Sequence, residues 1–161
     1  MISAKIESIN LTSAALCLPG KANEDRFSMS NEESPCGMIT FGVFDGHGGS
    51  FGSQLCAQGY CSSILNAVNS KLPSPSTAEE TVFDAIFCEA VYNISKHMNK
   101  EIKAKSRTGT TAVCIFARRL IDGSHQVYCV NIGDSRYCCS LLLYSKGHIV
   151  HREFFWDVVL L

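Results

Sequence analysis

The 161-residue sequence predicts an α+β fold, in which helices lie against an antiparallel sheet. Three observations carry that expectation. Short apolar runs bounded by glycine or acidic residues recur, as strands do, at 38–44, 110–117 and 126–132. Two long stretches between the first run and the second repeat their apolar residues at helical spacing. Asp122-Gly123 separates the last two runs and is a strong hairpin signal, so the closing strands read as a meander.

Taken in order, residues 2–18 alternate loosely and supply an edge strand, and Leu18-Pro19-Gly20-Lys21 is a turn. Residues 26–30 read as a short strand and 31–37 as a polar loop. The run 38–44 reads as a buried strand that stops abruptly on Asp45-Gly46-His47. Phe51, Leu55, Cys61, Leu65 and Val68 then mark one face of a first helix, which two prolines within 72–76 end. Thr77-Ala78-Glu79-Glu80 has the spacing of a capping box and opens a second helix. There Val82, Phe83, Ile86, Phe87, Val91, Ile94, Met98 and Ile102 form a wide stripe, which faces a core. The strands at 110–117 and 126–132 follow. A break at Gly133-Asp134-Ser135 precedes a third strand over about 136–143.

Bulk properties narrow the function. With 46% hydrophobic and 18% charged residues the chain can bury one domain-sized core, which argues against extensive disorder. A net charge of −1 offers no electrostatic reason to bind nucleic acid or an anionic membrane. No apolar run reaches the roughly 20 residues of a membrane helix, and Lys5 and Glu7 break any secretory signal. The nine cysteines contain no Cys-x-x-Cys pair and mostly sit within apolar runs, so they read as reduced core residues rather than zinc ligands. A soluble, cytoplasmic or nuclear, monomeric protein is expected.

Four clusters at strand ends could carry chemistry: Asn23-Glu24-Asp25-Arg26, Asp45-Gly46-His47-Gly48-Gly49, Thr108-Gly109-Thr110-Thr111 and Gly133-Asp134-Ser135-Arg136. Acids at the ends of neighbouring strands can converge while the sheet fixes their backbones. Glu24 and Asp45 could share a cation, with the Gly46 carbonyl as a further oxygen ligand, and all-oxygen ligation favours Mg²⁺ or Mn²⁺. His47 is placed to protonate a leaving group, the role for which an imidazole is the usual choice. Each cluster alone reads as an ordinary turn or a solvated acid pair; their joint occurrence in this order does not.

These four motifs, with Phe27, the run Phe41-Gly42-Val43-Phe44 before Asp45, and Asn131-Ile132 before Gly133, resemble the metal-dependent protein serine/threonine phosphatases of type 2C over about residues 1–140. The resemblance implies part of an α-β-β-α sandwich, an antiparallel β-sandwich flanked by helices. It also implies two bridging Mn²⁺ or Mg²⁺ ions and hydrolysis of phosphoserine and phosphothreonine in protein substrates by a metal-activated water. Carried over by motif, Asp45 bridges the metals, Glu24 and the Gly46 carbonyl complete one site, Asp25 orients water and His47 is the general acid. Asp134 corresponds to an acid near a further, weaker metal position.

Two departures shape the expectation. The basic residue that grips substrate phosphate falls at Gly20, leaving Lys21 to act in its place as a point charge. The two aspartates that the family's second half supplies have no counterpart before Leu161, and the segment after Tyr137 reads as apolar strings. The sequence therefore predicts a type 2C portion at 1–140 and an atypical apolar tail at 141–161. It reads as a truncated product lacking the C-terminal half, with one weak metal site and impaired activity. His148 and His151 are read as an exposed strand end. A catalytically inactive pseudophosphatase or binding module is the first alternative. A serine hydrolase is the distant one, because Gly48-Gly49-Ser50-Phe51-Gly52 fits the nucleophile elbow.

Overall fold

The structure is a computed structural model that describes residues 2–6, 23–30, 37–72, 78–135, 137–145 and 148–156. Its elements run β1 (Ile2–Ile6), β2 (Arg26–Met29), β3 (Met38–Phe44), β4 (Gly46–His47), α1 (Phe51–Lys71), α2 (Glu80–Lys105), β5 (Gly109–Thr110), β6 (Ala112–Arg119), β7 (His125–Ile132), β8 (Tyr137–Ser145) and β9 (His148–Trp156). Five strands pair antiparallel in the order β1-β7-β6-β3-β2, so the α+β expectation holds and β1 is an edge strand. The pairs β4-β5 and β8-β9 form separate two-stranded ladders.

The β6-β7 hairpin closes where Asp122-Gly123 predicts. Gly123 takes a positive φ of 82°, open to glycine at little cost, and its N–H donates to the Leu120 carbonyl at 3.0 Å. Asp122 Oδ1 accepts the Ser124 N–H at 3.0 Å, an Asx-type brace across the turn.

α1 is helical because Cys56, Tyr60, Cys61, Ile64, Leu65 and Val68 bury one face at helical spacing. It stops at Leu72, whose φ of −128° is extended, as the following Pro73 requires. The sequence reading set the buried face slightly off. Phe51 is 37% exposed while Ser53 is fully buried, because this first turn seats a hydroxyl, not an aromatic ring, against the sheet.

α2 buries Phe83, Phe87, Val91, Met98 and Ile102 as expected, and leaves Val82 exposed. Its acidic start at Glu80 and basic end at Lys103 and Lys105 complement the helix dipole. The Glu80 carboxylate does not make the return bond of the expected capping box. Glu79 is the N-cap, no side chain caps the helix, and the Glu80 carboxylate accepts a bond from Gln126 Nε2 at 2.9 Å instead of turning back. Tertiary pairing with β7 has taken the acid that the local motif needed. Thr77 lies outside the described residues.

The core lies between the helices and one face of the sheet. Phe87 stands 4.7 Å from Tyr128 and 5.1 Å from Phe116, centroid to centroid, and Phe83 stands 5.3 Å from Tyr128. Such pairs add about 0.5–1.5 kcal/mol each beyond area burial. β3 is not buried on both faces as read from its apolar run. Met38, Thr40, Gly42 and Phe44 face the core, whereas Ile39 and Phe41 are half-buried and Val43 is 40% exposed. Among the described residues the helices cover only one face of this sheet.

The apolar strings after Tyr137 form a hairpin. β8 pairs along β9 from Tyr137 with Trp156 to Ser145 with His148. His148 starts β9, and His151 lies within it opposite Leu142. Residues 157–161 are outside the described residues. Among those described, no helix is long and apolar enough to cross a membrane.

Candidate active site

The register of β2 and β3 builds the site. Arg26 pairs with Phe44, so the next residue on each strand, Asp25 and Asp45, meet just past the ladder at one end of the sheet. Asp25 and Asp134 are both close enough to act on the Asp45 carboxyl electrostatically. Partial desolvation at this rim raises the Asp45 carboxyl above its ordinary range. Asp25 and Asp134 push it the same way and His47 opposes them.

Each acid sits on a segment tied to its neighbours. Arg26 Nη1 donates to the carbonyls of Asn23 at 3.0 Å and Asp25 at 2.7 Å, which shapes the strand entry. The buried Ser53 hydroxyl of α1 donates to the Glu24 carbonyl and draws the same segment onto the helix. A side chain on Gly46 would run into that carbonyl, so only glycine lets the strand end lie this close. Neither role of Ser53 was read from sequence. The available signal was a serine in line with Cys56 and Tyr60 on the buried face.

The Asp45 carbonyl accepts the Thr111 N–H at 2.9 Å and the Thr110 hydroxyl at 3.0 Å, which anchors its backbone to the segment before β6. The strand expected over 110–117 is interrupted at Thr111, where the chain leaves β4 to join β3. Thr111 Oγ1 also meets Ser135 Oγ at 2.6 Å, which holds the loop of Asp134 against the same anchor. Ser135, with Asp25 and Asp45, forms the polar part of a cleft of about 440 Å³ floored by Phe41, Val43, Val113 and Ile115.

His47 is exposed, and its ring lies over Gly109, where any Cβ would collide with it. β4 pairs His47 with Gly109 and so sets the imidazole beside the acids. Gly48 and Gly49 follow with φ of 71° and 128°, the turn that carries the chain into α1.

The structure therefore brings together Asp25, Asp45, Asp134 and His47, with Gly46 adjoining the Glu24 main chain. Lys21 lies outside the described residues. Ser50 takes an ordinary φ of −85° at the N-cap of α1, without the strain of a nucleophile elbow. No hydrogen bond joins its hydroxyl to a histidine among the described residues.

A carboxyl set against a second carboxyl, with a third nearby, is relieved by a proton or by a hard cation. Their all-oxygen chemistry fits Mg²⁺ or Mn²⁺. The fit is partial: among the described residues no three His, Cys, Asp or Glu side chains are grouped so as to hold a metal ion.

An antiparallel sheet backed by two helices, with aspartates and a histidine gathered at one rim by glycine turns, defines an α+β protein with an acidic site at its strand ends. The family model described as Protein phosphatase 2C matches residues 21–149, and the chain belongs to that family. The family is one of metal-dependent phosphatases acting on phosphorylated proteins.

Proposed function

We propose that the chain is a protein serine/threonine phosphatase that works at the Asp25–Asp45 rim with Mn²⁺ or Mg²⁺ bound. The observation that carries this reading is the meeting of Asp25 and Asp45 beside Asp134 and His47, on a chain of this family. Asp45, Glu24 and the Gly46 carbonyl would hold the ions, and Asp134 a weaker one. Bound divalent cations supply a water of lowered pKa and neutralise phosphoryl charge.

The chain's own residues orient and move protons around that chemistry. Asp25 accepts a hydrogen bond from the attacking water and points it at phosphorus. His47, exposed at the lip of the cleft, donates a proton to the departing seryl or threonyl oxygen. Lys21 attracts the substrate phosphate as a point charge. The bonds that the Asp45 carbonyl accepts from the Thr110 hydroxyl and the Thr111 N–H keep Asp45 in place, so little reorganisation accompanies the reaction.

Residues 1–140 form the phosphatase portion and 141–161 a distinct apolar tail. Turnover by this chain is slow, in keeping with the sparse ligand set among the described residues. Cys56, Cys61, Cys88 and Cys114 take part in no disulfide, which suits a reducing cytoplasmic or nuclear setting, and the chain acts as a monomer.

Hydrolysis of a phosphothreonine peptide with and without Mn²⁺, against an Asp45→Ala control, tests the reading. Release of phosphate that needs Mn²⁺ and vanishes in the variant supports it; equal release in the variant sinks it. The sparse ligand set among the described residues also favours a second reading, a pseudophosphatase that binds phosphopeptide without hydrolysing it. Saturable binding with no phosphate release would select that one.

A further inference from the structure

Charge is unevenly placed along this chain. Residues 90–107 carry five basic residues, Lys96, Lys100, Lys103, Lys105 and Arg107, against the single acid Glu101. The rest of the chain carries nine basic residues and fourteen acidic ones. In the second half of α2 the buried side holds Val91, Met98 and Ile102, while Lys96, Lys100 and Lys103 are exposed and share one face at i, i+4 and i+7. The nearby acids do not offset them. The Glu101 carboxylate is taken by Lys105 Nζ at 2.5 Å, with His97 Nε2 at 3.8 Å, and Glu89 is held by Lys71 at 2.7 Å. Among the described residues no ion pair reaches Lys96, Lys100, Lys103 or Arg107.

Helix stability does not account for this stripe. Lys103 and Lys105 lie in the last turn and serve the dipole, but Lys96 and Lys100 precede it, where that effect has faded. Like charges four residues apart repel and weaken a helix. Lys96 Nζ stands 5.9 Å from the ring centre of Tyr92, itself 60% exposed, so an aromatic ring begins the row of cations.

The row leads to the acidic rim. Lys96 to Lys103 covers about 10 Å at the helical rise, roughly three residues of extended peptide. Arg107 follows the C-cap Ser106, and its carbonyl lies 3.4 Å from where a Cβ on Gly48 would stand. Two residues on, Gly109 lies against the His47 ring, and Thr108 Oγ1 accepts the Gly52 N–H of α1 at 3.1 Å, which fixes this helix end to the site. Asp25, Asp45 and Asp134 repel anionic side chains while the stripe attracts them, so the two fields together orient an acidic chain.

We propose that Lys96, Lys100, Lys103 and Arg107 dock a run of Asp and Glu side chains lying beside the phosphorylated residue of a protein substrate. This rests on the phosphatase reading for the phosphorylated residue; the docking itself needs neither metal nor hydrolysis.

Fluorescence anisotropy of a labelled hexa-aspartate peptide, in EDTA and low salt, reads the docking alone. The triple variant Lys96→Gln, Lys100→Gln, Lys103→Gln should bind about tenfold more weakly and with a flatter salt dependence. The corresponding arginine triple should keep the affinity, and Lys105→Gln, whose charge Glu101 engages, should change it less than about twofold. Unaltered binding in the glutamine triple overturns the proposal, as does tighter binding of hexauridylate or phosphatidylserine vesicles through the same lysines. Two phosphothreonine peptides with Mn²⁺, one with an adjacent acidic run and one neutral, then link docking to turnover. The acidic peptide should show a lower KM at equal kcat, and the glutamine triple should lose that advantage while hydrolysing the neutral peptide as before. Hydrolysis without the preference overturns the proposal and leaves the phosphatase reading standing. Stripe-dependent binding of hexa-aspartate with neither peptide hydrolysed upholds the docking surface and removes the phosphatase reading.

Discussion

Asp25 and Asp45 stand opposite each other one residue beyond the β2-β3 ladder, where the Asp25 carboxyl acts on that of Asp45. Two carboxylates set this close repel each other, and a cation between them would relieve that repulsion. The sheet imposes the approach: the register is fixed by four paired residues and by the burial of Phe44 on the core side.

Removing one of the two charges should therefore stabilise the metal-free protein while abolishing its response to metal. Asp45→Asn is expected to raise the melting temperature in EDTA by an amount worth no more than about 1 kcal/mol, since the position is solvent-exposed. The same variant should lose the upward shift that Mn²⁺ gives the parent chain. Differential scanning fluorimetry with and without Mn²⁺ checks both, and an undiminished Mn²⁺ shift in the variant would remove Asp45 from the metal site.

The raised Asp45 carboxyl also sets a pH dependence. The folded state binds its proton more tightly than the unfolded state, whose value stays near 3.8. The stabilising contribution is fully present below that value and is lost as pH rises through the folded-state value, because νU is then smaller than νN. In EDTA, this site should make the melting temperature fall as pH climbs out of the acid range, and Asp45→Asn should remove that component. Saturating Mn²⁺ should reverse the trend, since the deprotonated pair binds the cation. A pH profile identical in parent and variant would show that Asp45 contributes nothing to it.

Much of this was legible in the sequence because it is local. Asp122-Gly123 names its turn, prolines stop α1, and Asp45-Gly46-His47 marks a strand end. What was not legible depends on partners remote in sequence. That Asp25 faces Asp45 follows from the strand register. That Val43 looks outward follows from helices covering one face only. Glu80 was read as a cap and instead pairs with Gln126, 46 residues away. The break at Thr111 belongs to the same class: a β-branched run reads as unbroken strand until the Asp45 carbonyl claims its N–H.

Gly109 offers a test of His47 that leaves the acids alone. A methyl group there occupies the space of the imidazole, so Gly109→Ala should displace the ring without touching Asp25 or Asp45. Phosphopeptide turnover is expected to drop by about 10²-fold, the scale of a lost general acid, while the Mn²⁺-induced melting shift persists. Loss of both together would mean that the substitution has collapsed the loop rather than moved the histidine.

Arg118 provides the clearest stability prediction, because a charged side chain is fully buried and bound at three points. Its Nη2 donates to the Ala78 carbonyl at 2.6 Å and its Nη1 to Gln126 Oε1 at 3.2 Å, and the guanidinium lies 3.9 Å from the Phe83 ring centre. It thus binds the start of α2 to β7, in the same region where Gln126 holds Glu80 and Tyr128 donates to Asp84 at 2.7 Å. Arg118→Ala strips two acceptors of their donor and leaves a void beside Phe83, so urea unfolding should show a loss of about 2–4 kcal/mol. Arg118→Lys keeps the charge but cannot span both acceptors while lying flat on the ring, and should recover less than half of that loss. Near-parental stability in the lysine variant would mean that charge alone, not the planar fork, holds the helix to the sheet.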